Sequence, residues 1–583
     1  MNEGVGWRLT TLRMILTAAA VAILARMVYF QVSPQRDIFR EQKTIYDGVY
    51  REVIPARGQI YDRWGNLLAG NTTVYQVGVE LGPYTDAAGI AQALHSVLDL
   101  KYNEIFNLAS QPASETAVFQ VLVDSVTPEE VLAIKAFGQG SAEEETLVAS
   151  NSLSALVFTP HLTRSYPEHD LASNILGFVG GNDTGYYGVE EQYDELLAGD
   201  PQTVWIPEDP DQVEDLPQIP PGASLILTID REVQAMVEEL LSAAVKRNGA
   251  ASGTIVILDP ENGEILAMAS TPRIDLNTYW DYLEIISGTT PFNQAVSNAY
   301  EPGSVFKVLT MAAALDSGSV DPQTEFVDTG SIEVGGVLIR NWDWGAWGPQ
   351  DMTGCLQHSL NVCLAWIATE MGPQTFYEYM SGFGFGHTTG VDLAGEVSGR
   401  LKLPGDPDWF PSDLGTNSFG QGISVTPLQM LMAISALANE GKMMAPHILL
   451  GMIDNGRQFN PTPQFVGQPI SAETAALLTD MLSNSLENEA SVALVPGYRM
   501  AGKTGTAEIP TPYGYTSNRT NTSFVGWGPV EDPQFLVYIW LEKPTSSIWG
   551  SEVAAPIFSQ LVQRLVVLMD IPPDEIRLGM SGQ

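Results

Sequence analysis

The segment Met14–Val32, MILTAAAVAILARMVYFQV, restricts the architecture more than any other part of the chain. It is about 19 residues long, close to the ~20 apolar residues a helix needs to cross a bilayer. Arg26 interrupts the run near its far end, where a long cationic side chain can snorkel to the interface and Tyr29 would also be at home. Ala20-Val21-Ala22 offers the alternative of a cleaved signal peptide. The apolar run continues past that point, which favours an uncleaved anchor. Flanking charge does not orient it, because Arg8 and Arg13 precede it and Arg36, Arg40 and Lys43 follow it.

The remainder is long enough for several domains. Of 583 residues, 44% are hydrophobic and 17% charged, a balance that supports packed cores. The formal net charge of -41 repels phosphate backbones, so nucleic acid is not an expected partner. The acidic stretches Glu143-Glu144-Glu145 and Glu208 to Asp215 read as solvated surface. Two cysteines, Cys355 and Cys363, are too few for a zinc site or a disulfide framework. On one helix they would lie about 12 Å apart, so two buried, inert thiols are expected unless a turn separates them.

After the anchor and a charged connection, Ile60 to Leu68 reads as strand, turn and strand around Trp64-Gly65-Asn66. Ala87 to Leu100 and Pro128 to Phe137 have helical spacing. Pro207, Pro210, Pro217, Pro220, Pro221 and Gly222 mark an extended connector and a domain boundary. Beyond it, Leu225 to Ile229 predicts a strand, and Asp230 caps a helix running to about Arg247. Thr254–Leu258 and Glu264–Ala269 form a hairpin about Asp259–Gly263. Helices are predicted after Ser304, Asn361, Thr426 and Ser471, strands at Ser523–Trp527 and Phe535–Leu541, and a closing helix over Val553–Met569.

Three short motifs carry chemistry. In Glu301-Pro302-Gly303-Ser304-Val305-Phe306-Lys307, Pro302 and Gly303 break the preceding structure, so Ser304 opens a helix and Lys307 follows three residues later on the same face. A serine hydroxyl is a weak nucleophile and needs a base beside it, which a lysine can be when burial or positive charge pushes off its proton. The helix N-terminus favours developing negative charge. In Ser359-Leu360-Asn361 the hydroxyl can relay a proton and the amide can hold a carbonyl. In Lys503-Thr504-Gly505-Thr506 a lysine and hydroxyls make a carboxylate site, and Gly505 lets a substrate backbone approach. Each motif alone is weak. Their order along the chain, 55 residues apart (304 to 359) and then 142 (361 to 503), matches the arrangement of penicillin-binding proteins and serine β-lactamases.

On these residues the chain resembles the class B penicillin-binding proteins, monofunctional peptidoglycan D,D-transpeptidases. Arg57-Gly58-Gln59-Ile60-Tyr61-Asp62-Arg63-Trp64-Gly65, Arg164-Ser165-Tyr166-Pro167, Gly188-Val189-Glu190 and Ser418 to Pro427 resemble further signatures of that family. The resemblance implies an α+β architecture: a cytoplasmic tail (1–13), one transmembrane helix (14–32), an elongated non-catalytic pedestal (33–215), and a transpeptidase domain (216–575) with an antiparallel sheet flanked by helices. It places the bulk of the chain outside the membrane. It implies acyl transfer, with Ser304 as nucleophile, Lys307 as base, and Ser359, Asn361 and Lys503 completing the proton network. Thr504, Gly505 and Thr506 would bind substrate, and the backbone N–H groups of Ser304 and Thr506 would form the oxyanion hole. The implied substrates are a D-Ala-D-Ala stem-peptide donor and an acceptor amine, with β-lactams as inhibitors. No metal or cofactor is implied, and a polytopic membrane glycan polymerase is the implied partner. Arg57, Asp62, Arg63 and Arg164 are expected to hold the pedestal together.

Water could replace the amine, giving a carboxypeptidase or β-lactamase. No Glu-x-x-x-Asn motif for lactamase deacylation lies between Asn361 and Lys503. A scaffold with a degenerate site is the non-enzymatic alternative, and a bifunctional glycosyltransferase lacks its acidic signature. Ser523–Trp527 and Val553–Phe558 look more like the division branch than the elongation branch, and both remain open.

Overall fold

The computed structural model describes residues 3–32, 48–83, 85–113, 118–139, 153–207, 219–282, 292–511 and 514–581. The chain forms two compact units. One draws on Met1–Ala56 and Gly199–Pro221. It contains α1 (Glu3–Val32), in which Thr10–Phe30 is long and apolar enough to cross a membrane. The Arg26 guanidinium lies 4.7 Å from the Phe30 ring centroid and 5.5 Å from that of Tyr29. The same unit holds a two-stranded antiparallel ribbon of Gly48–Val53 against Gln202–Pro207. The centre of the acidic, proline-rich boundary, residues 208–218, lies outside the described residues.

The second unit takes Arg57–Ala198 and Gly222–Gln583. Its first sheet begins with β1 (Ile60–Tyr61), β2 (Leu67–Glu80), β3 (Phe119–Val126) and β4 (Leu156–Ser165). The turn between β1 and β2 follows from the sequence. The Asp62 carboxylate accepts from the backbone N–H of Trp64 and Asn66, and Gly65 takes φ +87°. β1 then pairs in parallel with β5 (Ser224–Leu227), and Leu449–Asp454 and Arg457–Phe459 extend the sheet. Pedestal-type sequence and transpeptidase-type sequence therefore share one seven-stranded sheet.

A buried ion cluster ties the pedestal-type sequence together beside that junction. Glu190, wholly buried, accepts from Arg57 Nε (2.8 Å), Arg164 Nε (2.7 Å) and Tyr166 OH (3.3 Å). Arg164 also donates to Gly58 O, and Arg63 pairs with Glu264 across the sheet. These are the polar contacts expected of the amino-terminal signature residues.

The second sheet is antiparallel, with order β7-β6-β10-β9-β8: β6 (Ser252–Leu258), β7 (Ile265–Thr271), β8 (Ala501–Thr511), β9 (Gly514–Gly528) and β10 (Phe535–Glu542). Helices pack on both faces, α2 (Arg231–Asn248) and α7 (Gly550–Leu568) on one and α6 (Pro427–Ala438) on the other, with α3 (Lys307–Asp316), α4 (Met352–Gln357) and α5 (Asn361–Gly382) beyond α6. Asp230 caps α2 as its sequence predicts, accepting from the N–H of Glu232 and Val233. Side chains alternate along a strand, and β10 divides accordingly. Phe535, Val537, Ile539 and Leu541 pack with α2 and α7, while Leu536, Tyr538 and Trp540 face the core of α3, α5 and α6. A strand buried on both faces reads as a continuous apolar run, and fully burying each such side chain contributes about 1.5–3 kcal/mol.

α2 also carries a titrating contact. The buried Glu238 carboxylate accepts from Ala172 N and Gln234 Nε2, each at 2.8 Å, and pairs with Arg273, which Asp170 also meets. Burial pushes its carboxyl up to about 7, against the pull of Arg273. The folded form then holds a proton that the unfolded chain releases near pH 4.5, so this group's stability contribution is full at low pH and is lost as pH rises through about 7. Denaturant titrations are expected to show wild type losing about 2 kcal/mol between pH 5 and pH 8 from this source. Glu238→Gln should flatten that slope, and an unchanged slope would contradict it.

Candidate active site

Gly303 brings the first motif against the sheet. It adopts φ +62°, donates its N–H to Gly420 O, and leaves no room for a side chain, since an added Cβ would lie 2.8 Å from Thr506 O. Gly303–Phe306 form a short 3₁₀ turn and α3 begins at Lys307. Ser304 is half-buried in this turn, hard against β8. Lys307 is wholly buried, and its Nζ donates to Ser359 O (2.5 Å) and to Ser359 Oγ (3.1 Å). The first two motifs, distant in sequence, thus meet at the Lys307 nitrogen.

Ser359 lies at the break between α4 and α5 and takes φ +52°. Asn361 is the first residue of α5 and donates Nδ2 to Arg340 O at 3.1 Å. The reversal at Ser359 corrects the expectation for the cysteines. Cys355 lies in the last turn of α4 and Cys363 in the first turn of α5, so their Cα atoms are 6.0 Å apart and they form a disulfide. The bond closes a short loop around the second motif. Removing the cross-link with Cys355→Ala/Cys363→Ala is expected to cost about 2.5 kcal/mol by loop entropy. Urea denaturation would read this as a lower midpoint. Equal midpoints would contradict the prediction.

The third motif lies on β8, the edge strand of its sheet, with Lys503 opposite Val525 and Thr506 opposite Thr522 on β9. A sheet edge can pair with an extended peptide. Lys503 is buried, and its Nζ lies 3.4 Å from Thr504 Oγ1. The need for glycine at 505 comes from within the chain, because an added Cβ would lie 2.1 Å from Ser523 Oγ and 2.9 Å from Val305. Thr506 Oγ1 accepts from Gly550 N at the start of α7 (3.0 Å).

Sequence reasoning passed over the neighbours of this site. Glu301 Oε1 accepts from Gly422 N and Tyr515 OH, and burial raises its carboxyl above the usual range. Asn341 and the indoles of Trp342 and Trp347 border the second motif. None of these has a short local motif to announce it. Among the described residues, no group of three or more His, Cys, Asp or Glu side chains is placed to hold a metal.

Comparison with known proteins identifies relatives of the whole chain. The penicillin binding protein transpeptidase domain matches residues 253–563, and the penicillin-binding protein dimerisation domain matches residues 52–209. Stage V sporulation protein D of Bacillus subtilis is 32% identical over 545 residues, covering 91% of this chain and 81% of the relative. Peptidoglycan D,D-transpeptidase FtsI of Escherichia coli K12 is 28% identical over 596 residues, covering 99% and 95%. Among solved structures, penicillin binding protein 3 of Mycobacterium tuberculosis, complexed with aztreonam, superposes with a TM-score of 0.68 at 25% identity, covering 90% of this chain and 98% of that one. With a transpeptidase domain over more than half its length and a relative 32% identical across nine-tenths of it, the chain belongs to the class B penicillin-binding proteins.

Proposed function

We propose that the chain is a serine peptidoglycan D,D-transpeptidase whose nucleophile is Ser304. The single observation that carries this assignment is the Lys307 amine, buried and bonded to Ser359 at the start of the helix that follows the Ser304 turn. Ser304 Oγ attacks the carbonyl of the penultimate D-Ala as its proton passes to Lys307. The new C–O bond gives a tetrahedral oxyanion, held by the N–H groups of Ser304 and Thr506. The C–N bond then breaks, and the terminal D-Ala leaves with a proton delivered from Lys307 through Ser359 Oγ. An acceptor amine then attacks the acyl carbonyl and gives up a proton to the Lys307–Ser359 pair; the ester C–O bond breaks, Ser304 Oγ regains its proton, and the new C–N bond is the cross-link.

The other residues position the donor. Thr504 and Thr506 hold its terminal carboxylate, Lys503 completes the proton network, Gly505 keeps the β8 edge close-packed, and β8 offers a strand edge for its backbone. An amide has two donor hydrogens. Asn361 places one on Arg340 O and offers the other to a substrate carbonyl. β-Lactams acylate Ser304 because they imitate the D-Ala-D-Ala terminus.

The relatives' names support a division or sporulation role over elongation. The anchor Thr10–Phe30 supports a single-pass membrane protein. The disulfide supports an extracytoplasmic catalytic domain, since such bonds persist in oxidising compartments. The dimerisation-domain match over 52–209 supports a pedestal within 33–215 and a transpeptidase domain within 216–575. A polytopic membrane glycan polymerase is the proposed partner.

The test supplies a stem pentapeptide and an acceptor amine to the purified chain and follows the products by mass spectrometry. Cross-linked dimer with one D-Ala released per bond is expected. Release of D-Ala without dimer would mean that water is the acceptor.

A further inference from the structure

Asn341-Trp342-Asp343-Trp344-Gly345-Ala346-Trp347 places three indoles at the surface: Trp342 is 47% exposed, Trp344 75% and Trp347 37%. Clustered exposed aromatic surface marks an interaction site more often than a folding need. The loop beneath them is fixed. Buried Asp328 accepts from Asn341 Nδ2 (2.7 Å) and Trp347 N (2.8 Å), and Asn341 Nδ2 also reaches Gly345 O. Each ring is held as well. Trp342 Nε1 donates to His358 O, and Trp347 Nε1 donates to Asp343 Oδ2 while its ring stacks on His358 at 4.1 Å. The Arg340 guanidinium lies 5.5 Å from the Trp344 ring. Trp344 itself takes φ +61°, a conformation bulky residues rarely adopt and one that tends to persist at functional positions.

The loop joins the two walls of the site. Asn341 Oδ1 accepts from Val362 N, and Arg340 O accepts from Asn361, on the side of the second motif. Trp342 meets Trp549 edge-on at 5.2 Å, next to Gly550, whose N–H binds Thr506 of the third motif. With the Trp342 and Trp347 N–H groups used inside the protein, these rings offer apolar faces to solvent, ordered before any ligand arrives.

The stem peptide occupies the cleft, but in its natural substrate it is attached to a chain of amino sugars that must lie outside. We propose that Trp342, Trp344 and Trp347 form a platform for that glycan, with the hydrocarbon faces of pyranose rings stacking on the indoles. Arg340 and Asp343 stand at the rim to meet sugar hydroxyls. This inference rests on placing the donor peptide at Ser304.

The test uses peptide-free glycan oligomers, prepared by stripping stem peptides from peptidoglycan, and reads their binding to the full chain by tryptophan fluorescence. Trp344→Ala, at the most exposed of the three positions, is expected to weaken binding at least tenfold. Trp344→Tyr, which keeps an aromatic face, should stay within threefold of wild type. Equal affinity of wild type and Trp344→Ala, or no binding to wild type, would overturn the platform. Failure of the Ser304 assignment would appear separately, as loss of penicillin labelling in the same preparation, and would leave this binding readout intact.

Discussion

Ser304→Ala is expected to abolish cross-linking and covalent penicillin capture, lowering the acylation rate by at least about 10⁴-fold. The substitution removes the only atom that forms the new bond. Losses of this size are typical when a nucleophile is deleted, because the remaining oxyanion donors and binding contacts cannot replace it. The fold should tolerate the change. Ser304 is half-buried in a short 3₁₀ turn, and the close packing there is made by Gly303 against Thr506 O and Gly420 O. Stopped-flow acylation with a chromogenic cephalosporin reads the rate, and the thermal midpoint checks folding. A folded Ser304→Ala chain that still forms a covalent adduct would place the nucleophile elsewhere.

Lys307→Met should lower the acylation rate by about 10²–10⁴-fold, the range for losing a positioned general base. Methionine is chosen for its shape. Lys307 is wholly buried, so alanine would open a cavity and confuse a chemical loss with a packing loss. Methionine fills most of the space and cannot accept a proton. It also leaves Ser359 O and Ser359 Oγ without the N–H donor that now binds both, so a modest stability cost is expected beside the kinetic one. The diagnostic pattern is a fall in the acylation rate with little change in the noncovalent affinity of the antibiotic. A loss of affinity at an unchanged acylation rate would make Lys307 a binding residue and leave the base unassigned.

How much of this was legible depends on how local the determinants are. The N-cap at Asp230, the Asp62 turn and strand β10 follow from residues close in sequence, and local pattern predicts them. The three motifs were visible as residue types. Their convergence was not, because the Lys307–Ser359 contact spans 52 residues and depends on the left-handed turn at Ser359. That same turn decided the cysteines. Spacing measured along one helix kept Cys355 and Cys363 apart, and a chain reversal that no local pattern announces brought them together. The sheet shared by β1 and β5 was equally hidden, since strand pairing across more than 160 residues leaves no periodic trace. The tryptophan loop shows the reverse case: its residues are conspicuous in the sequence, but their exposure and anchoring are properties of the fold.

The most direct test of the central claim is peptide mapping of the intact chain after brief exposure to a penicillin. The mass of the opened β-lactam should appear on one tryptic peptide, with fragmentation placing it on Ser304. An adduct on any other residue, or none on a folded and membrane-inserted chain, would contradict the assignment of Ser304 as the nucleophile.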